Sequence, residues 1–218
     1  MKKIIWWILI LAIIGLAVWG MAKLASMPKI DRSGIDGTIY NIEISEADWI
    51  KGNKEASAVL VEYSDFQCPA CGAYYPLMKQ ITEDFGDKIA FVYRHFPLKQ
   101  IHKHATLAAE AAEAAGQQGK FWEMHDLIFE NQPIWSNKIS SKDTFVEYAE
   151  RLGLNAEKFK SDLESKEIKN KVESDYLSGI SFGVNGTPTF FLNGKKLANP
   201  RAYDEFKQII EQAISDNI

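Results

Sequence analysis

AVLVEYSDFQCPAC, residues 58–71, is the most informative segment of the chain, because it joins an apolar run to both cysteines. Residues 58–63 are apolar enough and long enough to predict a buried strand. Cys68 and Cys71 are separated by two residues and can close a small disulfide ring, and no other cysteine exists for a structural bridge. A C-x-x-C motif that follows such a strand predicts a redox dithiol. The alternatives are a static disulfide or two buried free thiols.

The residues on either side predict a βαβ unit. Apolar residues at helical spacing predict a helix over residues 74–85, and residues 89–96 form a second apolar run typical of a buried strand. The order is therefore strand, dithiol, helix, strand. Before this unit, residues 45–52 predict a short helix with Ser45 as its N-cap.

A block of helices and then a hairpin are expected further along the chain. Helices are predicted over residues 104–115, 121–130, 141–152, 155–165 and 167–180. The last carries a stripe at i, i+4 spacing, formed by Ile168, Val172, Tyr176 and Ile180. Asn193-Gly194 lies between two strand-like runs, residues 189–192 and 195–197, and predicts a hairpin because both positions tolerate φ > 0. Residues 201–214 predict a closing helix.

The N-terminus differs from the rest of the chain, because residues 4–22 carry no charge and lie between Lys3 and Lys23. A helix rising ~1.5 Å per residue would carry this stretch almost across a ~30 Å hydrocarbon layer. We interpret residues 1–23 as a retained transmembrane anchor and residues 24–44 as a tether. A cleaved signal peptide is the alternative, but it usually has an apolar region of roughly 7–15 residues and a small-residue cleavage site.

Composition gives no support for nucleic acid as a partner. The net charge of −4 and the pI of about 5.6 do not favour nucleic-acid binding. The 218 residues suffice for one core with an elaboration, or for two small domains.

The whole pattern resembles the DsbA-like branch of the thioredoxin superfamily. The resemblance is carried by residues 64–71, 118–122 and 184–190, and the last of these contains Gly-Thr-Pro-Thr. It implies an α/β thioredoxin fold at residues 45–97 and 181–218. An all-helical domain at residues 98–180 interrupts this fold, and an N-terminal transmembrane helix precedes it.

The expected chemistry is thiol:disulfide exchange. Cys68, at a helix N-terminus, is predicted to attack, because unpaired N–H groups and the helix dipole stabilise its thiolate. Its pKa should then fall below the ~8.5 of a free cysteine. Cys71, one turn later, is predicted to resolve the mixed disulfide.

Other site residues follow from the resemblance. Pro69 and Ala70 are expected to tune the redox potential, and because Ala70 adds no polar group the protein is expected to be a weaker oxidant. Glu62 corresponds to the superfamily's buried acid, which exchanges protons with Cys71. For Glu62 the alternative is a solvent-facing edge position.

Thr187-Pro188 corresponds to the cis-proline loop of the family. The backbone at Thr187 would bind the substrate peptide as an added strand, and the Thr187 hydroxyl would tune Cys68. The alternative is an ordinary turn proline, since only ~5–6% of X-Pro bonds are cis.

The resemblance implies a membrane-anchored oxidase that donates the Cys68–Cys71 disulfide to reduced exported proteins. A quinone-linked thiol oxidase of the membrane would reoxidise it. We expect a monomer with no cofactor or metal, a single membrane span and a catalytic domain on the extracytoplasmic side, where disulfides persist.

Several other functions stay open. One is a reductase or isomerase on the same scaffold, fed by a transmembrane electron donor. Another is a metal-binding or copper-delivery module that combines the dithiol with histidines, although we expect the histidines to cap or pack. A regulatory domain of a membrane transporter is the last. The four histidines are His95, His102, His104 and His125.

Overall fold

The computed structural model describes Trp6 and residues 37–216. The predicted anchor, residues 1–23, lies outside this part of the chain apart from Trp6, as does the tether up to residue 36. Among the described residues, no helix combines the length and the apolar character needed to cross a membrane. Residues 37–216 belong to one unit, Gly34–Ile218.

A five-stranded sheet has the order β1-β3-β2-β4-β5. Strands β2 and β3 pair in parallel, and the other neighbours pair antiparallel. Because β2 and β3 are almost wholly buried, they carry the continuous apolar runs seen in the sequence. The strands are β1 (Trp49–Gly52), β2 (Ala58–Ser64), β3 (Ile89–His95), β4 (Thr189–Leu192) and β5 (Lys195–Lys196).

Eight helices lie within residues 37–216. The first begins directly after Cys68, with a proline at its first position, where a missing N–H costs little. They are α1 (Pro69–Phe85), α2 (Ala105–Gly116), α3 (Phe121–Glu130), α4 (Gln132–Trp135), α5 (Lys142–Arg151), α6 (Ala156–Leu163), α7 (Lys166–Ser181) and α8 (Tyr203–Ser215).

The helical block α2–α7 shares a hydrophobic core with residues 66–71, the segment that carries both cysteines. Phe66 and Cys71 belong to the same buried cluster as Phe121, Ile128 and Phe145. The alanines of α2 are almost all fully buried and let neighbouring helices approach closely. The dithiol therefore lies between the sheet and the helical block.

The prediction of a helix over residues 45–52 is wrong. The structure has a turn there, in which the Asp48 carboxylate accepts a hydrogen bond from the Ser45 N–H at 2.8 Å, followed by strand β1. Strand β1 pairs antiparallel with β3. The Trp49 ring stacks on Phe121 at 4.3 Å, and its Nε1 donates to Glu113 at 2.8 Å. Tertiary contacts therefore override the local capping signal.

The predicted stripe on the last helix of the block is correct only in part. Ile168 and Val172 of α7 are buried, whereas Ile180 is 50% exposed. Gly179 faces the sheet instead, where a Cβ atom would stand 2.6 Å from the Phe96 ring and 3.0 Å from Tyr63. Helix α7 thus needs a small residue, rather than a larger apolar one, to pack on the sheet.

Candidate functional site

Cys68 is the N-cap residue of α1. Its backbone is extended, with φ −68° and ψ 121°, and 7% of the residue is exposed. Its N–H donates to the Asp65 carbonyl at 3.0 Å, and its own carbonyl accepts from the Gly72 N–H at 3.1 Å. The cysteine therefore lies at the open end of the helix, where the first N–H groups have no intrahelical partner.

Cys71 lies in the first turn of α1 and is fully buried. Its sulfur accepts a hydrogen bond from the Asp65 N–H at 3.5 Å. Both cysteines are free thiols in this structure. The pair thus consists of a slightly exposed thiol and a fully buried one.

The surroundings shift the pKa values of the two thiols in opposite directions. The pKa of Cys68 is lowered to about 5. The hydrogen bond from the Cys71 thiol contributes most, the Thr187 side chain and the N–H groups of Cys71 and Ala70 also contribute, and burial opposes them. Burial raises the pKa of Cys71 well above its ordinary value, and the nearby charges of Cys68 and Glu62 raise it more. At neutral pH the site therefore holds one thiolate and one thiol.

Thr187 and Pro188 lie beside the Cys68 sulfur. Their peptide bond is cis, and the Cys68 thiol lies 3.4 Å from the Thr187 carbonyl oxygen. The buried Thr187 hydroxyl has no hydrogen-bond partner among the described residues, so it is free to donate to a thiolate. This loop borders a cleft of about 390 Å³ that also includes residues 196–199.

Replacing Thr187 by valine should raise the pKa of Cys68, because the hydroxyl donor is lost while the side-chain shape is kept. We expect the thiolate-to-thiol ratio at a given pH to fall roughly three- to tenfold, as the loss of a hydrogen bond worth ~0.5–1.5 kcal/mol requires. Ultraviolet titration of the thiolate measures it.

Thr189→Val is the matched control for this titration. The Thr189 hydroxyl donates to the Gly186 carbonyl at 2.8 Å in the same loop and is not among the groups that shift Cys68. Equal shifts in the two variants would contradict a specific role for Thr187.

Glu62 lies on the central strand β2 and is 4% exposed, so it is not at a sheet edge. Burial raises the pKa of Glu62 to about 7, and the charge of Cys68 adds to this effect. Glu62 also borders a cavity of about 10 Å³ lined by His125 and Asp126, among other residues. Such a cavity is close to the smallest volume that holds one water.

The two residues between the cysteines are exposed. Pro69 occupies the first helical position, and the Ala70 N–H helps to lower the pKa of Cys68. Ala70 therefore contributes through its backbone, although its side chain adds no polar group.

Two polar residues that we did not single out in the sequence also hold the active-site loop. Gln132 Nε2 donates to the carbonyls of Phe66 and Cys68, at 2.7 Å and 2.9 Å. The Asp65 carboxylate lies 2.7 Å from His102 Nδ1 and accepts from the Leu98 N–H at 2.8 Å. Their partners are distant in sequence, so no local pattern marks them.

All four histidines have polar partners. His95 Nε2 lies 2.9 Å from Glu113, His102 contacts Asp65, His104 Nε2 donates to the Lys138 carbonyl, and His125 Nδ1 lies 2.9 Å from Asp126. None of these partners is a cysteine, so within the described part of the chain the histidines do not join the dithiol in a metal site.

One other buried group has the donor types of a metal site. The donor atoms of His95, Glu113 and Asp175 lie within 4.8 Å of one another. The Lys171 ammonium, however, lies 2.6 Å from Asp175 and 3.9 Å from Glu113. It already supplies a positive charge to this cluster.

Curated relatives match the chain over only part of their own length. A protein of Salinispora arenicola named Na(+)/H(+) antiporter NhaA 1 is 37% identical over 189 residues, which are 83% of this chain and 28% of the relative. One of Herminiimonas arsenicoxydans, named Na(+)/H(+) antiporter NhaA, is 35% identical over 82% of this chain and 26% of its own. The chain thus spans about a quarter of these relatives.

Solved structures match the described fold over nearly their whole length. Oxidised BdbD from Bacillus subtilis is 25% identical with a TM-score of 0.71, covering 81% of this chain and 98% of that one. Wolbachia pipientis alpha-DsbA1 is 21% identical with a TM-score of 0.70, covering 80% and 94%. The profile of the family described as "Thioredoxin" matches residues 45–212. The chain therefore belongs to the thioredoxin family.

Proposed function

We propose that this protein is a thiol:disulfide oxidoreductase that donates the Cys68–Cys71 disulfide to other proteins. One observation carries the proposal. At a single helix N-terminus, the slightly exposed Cys68 thiol has its pKa lowered to about 5, and the fully buried Cys71 thiol has its pKa raised. This asymmetry suits an attacking and a resolving cysteine.

The same asymmetry favours the oxidising direction. A thiolate that is stabilised in the dithiol form makes the disulfide easier to reduce, so the disulfide becomes a stronger oxidant. Ala70 alone suggested a weaker oxidant. The Cys71 thiol, the Thr187 side chain and backbone N–H groups provide stabilisation that the side chain of Ala70 does not.

Each catalytic step can be assigned to a residue. A substrate thiolate attacks the Cys68 sulfur, the Cys68–Cys71 bond breaks, and Cys71 leaves with the electron pair. Glu62, protonated up to about pH 7, gives a proton to the buried Cys71 thiolate. A second thiolate of the substrate then attacks the substrate sulfur of this mixed disulfide and releases Cys68 as a thiolate. The substrate thus gains a disulfide and the enzyme becomes a dithiol.

The substrate backbone would bind along the cis-proline loop. A cleft of about 390 Å³ is lined by Thr187 and Pro188, and the Thr187 carbonyl oxygen lies 3.4 Å from the Cys68 sulfur. A peptide bound there would present its cysteine to Cys68, with main-chain hydrogen bonds supplying affinity and little dependence on sequence.

We further propose that the substrates are reduced exported proteins and that the protein works at the cell membrane. Residues 1–23 would anchor it, with the dithiol on the extracytoplasmic side, and a quinone-linked thiol oxidase of the membrane would restore the disulfide. The uncharged stretch of residues 4–22 and the need of a disulfide donor for an oxidising compartment support this placement.

The equilibrium redox potential of the full-length chain tests the direction. It is measured in glutathione buffers, with thiol trapping to quantify the dithiol and the disulfide. A value near −120 mV, roughly the oxidising end of the superfamily, is the expected result. A value near −270 mV, roughly the reducing end, would make the protein a reductase fed by a transmembrane electron donor.

A dithiol domain that works beside a membrane transporter is a second candidate. One observation favours this candidate: 83% of the chain is similar to about a quarter of a protein that is named as an antiporter. Catalysis of the oxidative refolding of a free reduced protein separates the two candidates. A disulfide donor accelerates this reaction, whereas a domain that only regulates a transporter does not.

A further inference from the structure

The active-site loop, residues 66–68, and the segment around helix α4, residues 131–138, exchange hydrogen bonds. Gln132 Nε2 donates to the Phe66 carbonyl at 2.7 Å and to the Cys68 carbonyl at 2.9 Å. In return, Gln67 Nε2 donates to the Ser136 carbonyl at 3.0 Å. The loop that carries the attacking cysteine is therefore fixed from the helical block as well as from the sheet.

The chemistry of these contacts defines how Gln132 is oriented. Carbonyl oxygens only accept hydrogen bonds, so the side-chain nitrogen of Gln132 must face both of them. Its two N–H groups thus hold the carbonyl dipoles of Cys68 and Phe66. The Cys68 carbonyl also accepts the first helical bond, from the Gly72 N–H at 3.1 Å.

Gly72 leaves the space that Gln132 occupies. A Cβ atom at position 72 would stand 2.5 Å from Gln132 Oε1 and 3.0 Å from its Cδ. Real Cβ atoms do not approach this closely, so any larger residue at position 72 would displace the Gln132 side chain. The glycine in the first turn of α1 and the glutamine of α4 therefore form a matched pair.

We propose that Gln132 is a positioning residue that favours the Cys68 thiolate by acting through the backbone. Its side-chain amide donates to the Phe66 and Cys68 carbonyls and so holds both carbonyl dipoles in place. Without it, the Phe66 and Cys68 carbonyls lose an N–H donor, the Cys68 carbonyl keeping only the Gly72 N–H, and their negative ends near the sulfur are less neutralised. The helical block would then contribute to the reactivity of a cysteine that the thioredoxin part carries. This inference rests on the proposed function.

The test is a thiolate titration of the reduced full-length chain in four forms: wild type, Gln132→Ala, Gly72→Ala and the double variant. We expect each single variant to lower the thiolate-to-thiol ratio of Cys68 about tenfold at a given pH, which is a rise of about one pH unit in its pKa. In the double variant, Gly72→Ala should add nothing to Gln132→Ala, because the side chain it displaces is already gone.

Asn137→Ala is the matched control. Asn137 lies in the same segment, is exposed, and donates to the Pro133 carbonyl at 3.2 Å, away from the active-site loop. It should leave the titration unchanged. If Gln132→Ala folds poorly, Gly72→Ala still tests the inference, because alanine is a better helix former than glycine.

Two outcomes would overturn the inference. One is an unchanged Cys68 titration in Gln132→Ala with a lower melting temperature, which would show a purely structural role. The other is a Gly72→Ala effect that persists in full when Gln132 is already alanine. The titration needs no catalytic turnover, so a low Cys68 pKa in a protein without exchange activity would contradict only the proposed function.

Discussion

Replacing Cys68 by serine abolishes disulfide exchange, whereas replacing Cys71 by serine yields a protein that accumulates mixed disulfides with its substrates. Cys68 is the accessible thiolate, so without it no bond to substrate forms. Exchange is reversible, so the Cys68 thiolate can also attack a substrate disulfide, and the fully buried Cys71 then attacks Cys68 and releases the substrate thiolate. Without Cys71 this mixed disulfide persists, so the trapping experiment uses a disulfide-bonded substrate. Refolding of a reduced test protein measures turnover, and non-reducing electrophoresis detects the trapped species.

Ala70→Ser is the matched control for both serine variants. It adds a serine in the same helical turn at an exposed position and leaves both sulfurs in place. It should retain exchange activity. Turnover at the wild-type rate in Cys68→Ser would rule out the proposed enzyme, and Cys71→Ser without mixed disulfides would remove Cys71 as the resolving thiol.

Replacing Glu62 by glutamine should stabilise the oxidised protein by up to about 3 kcal/mol at pH 7 and above, since burial, the main cause of the raised Glu62 pKa, remains when the Cys68 charge is absent. Burial raises the pKa of Glu62 from 4.5 to about 7, so between these values the folded protein holds a proton that the unfolded chain has lost. The free energy of unfolding then falls as pH rises, by ~1.36 kcal/mol per pH unit. This stability is fully present below pH 4.5 and is lost as pH rises through 7.

The measurement is urea unfolding of oxidised wild type and Glu62→Gln across this pH range. The oxidised form is chosen because neither cysteine titrates in it. Glu130→Gln is the control, since that carboxylate is about half exposed and should leave the pH profile almost unchanged. Parallel profiles for wild type and Glu62→Gln would show that Glu62 titrates normally in the folded protein.

The same variant should slow the reaction. Glutamine keeps the size of the side chain but cannot deliver a proton to the Cys71 thiolate, so Cys71 should become a poorer leaving group. We expect the attack on the oxidised protein to slow by roughly 10²-fold, the lower limit for a positioned general acid. An unchanged rate together with the predicted gain in stability would separate the buried charge from the catalytic role.

Much of the architecture could be predicted from local patterns. The apolar runs of β2 and β3 and the cysteine pair between β2 and α1 are consecutive in the chain, and Asn193-Gly194 forms the predicted turn, with φ of +48° and +77°. The predicted helices of the helical block agree with the structure to within one or two residues at each end. Such elements follow from periodicity and turn chemistry, which act between near neighbours.

Residues that are distant in sequence determined the rest. Ser45 resembled a helix cap, yet pairing of β1 with β3 and the stacking of Trp49 on Phe121 made the segment a strand. The stripe residue Ile180 is half exposed because Gly179 faces the sheet.

Local sequence was enough to nominate the candidate residues, namely a dithiol after a buried strand and a Thr-Pro pair far downstream. The surroundings that shift the pKa values of these residues arise from folding. The burial of Glu62, the free hydroxyl of Thr187 beside Cys68 and the two hydrogen bonds from Gln132 arise where distant segments meet. The physical reason is that pKa values depend on desolvation and on dipoles within a few ångströms, and folding determines both.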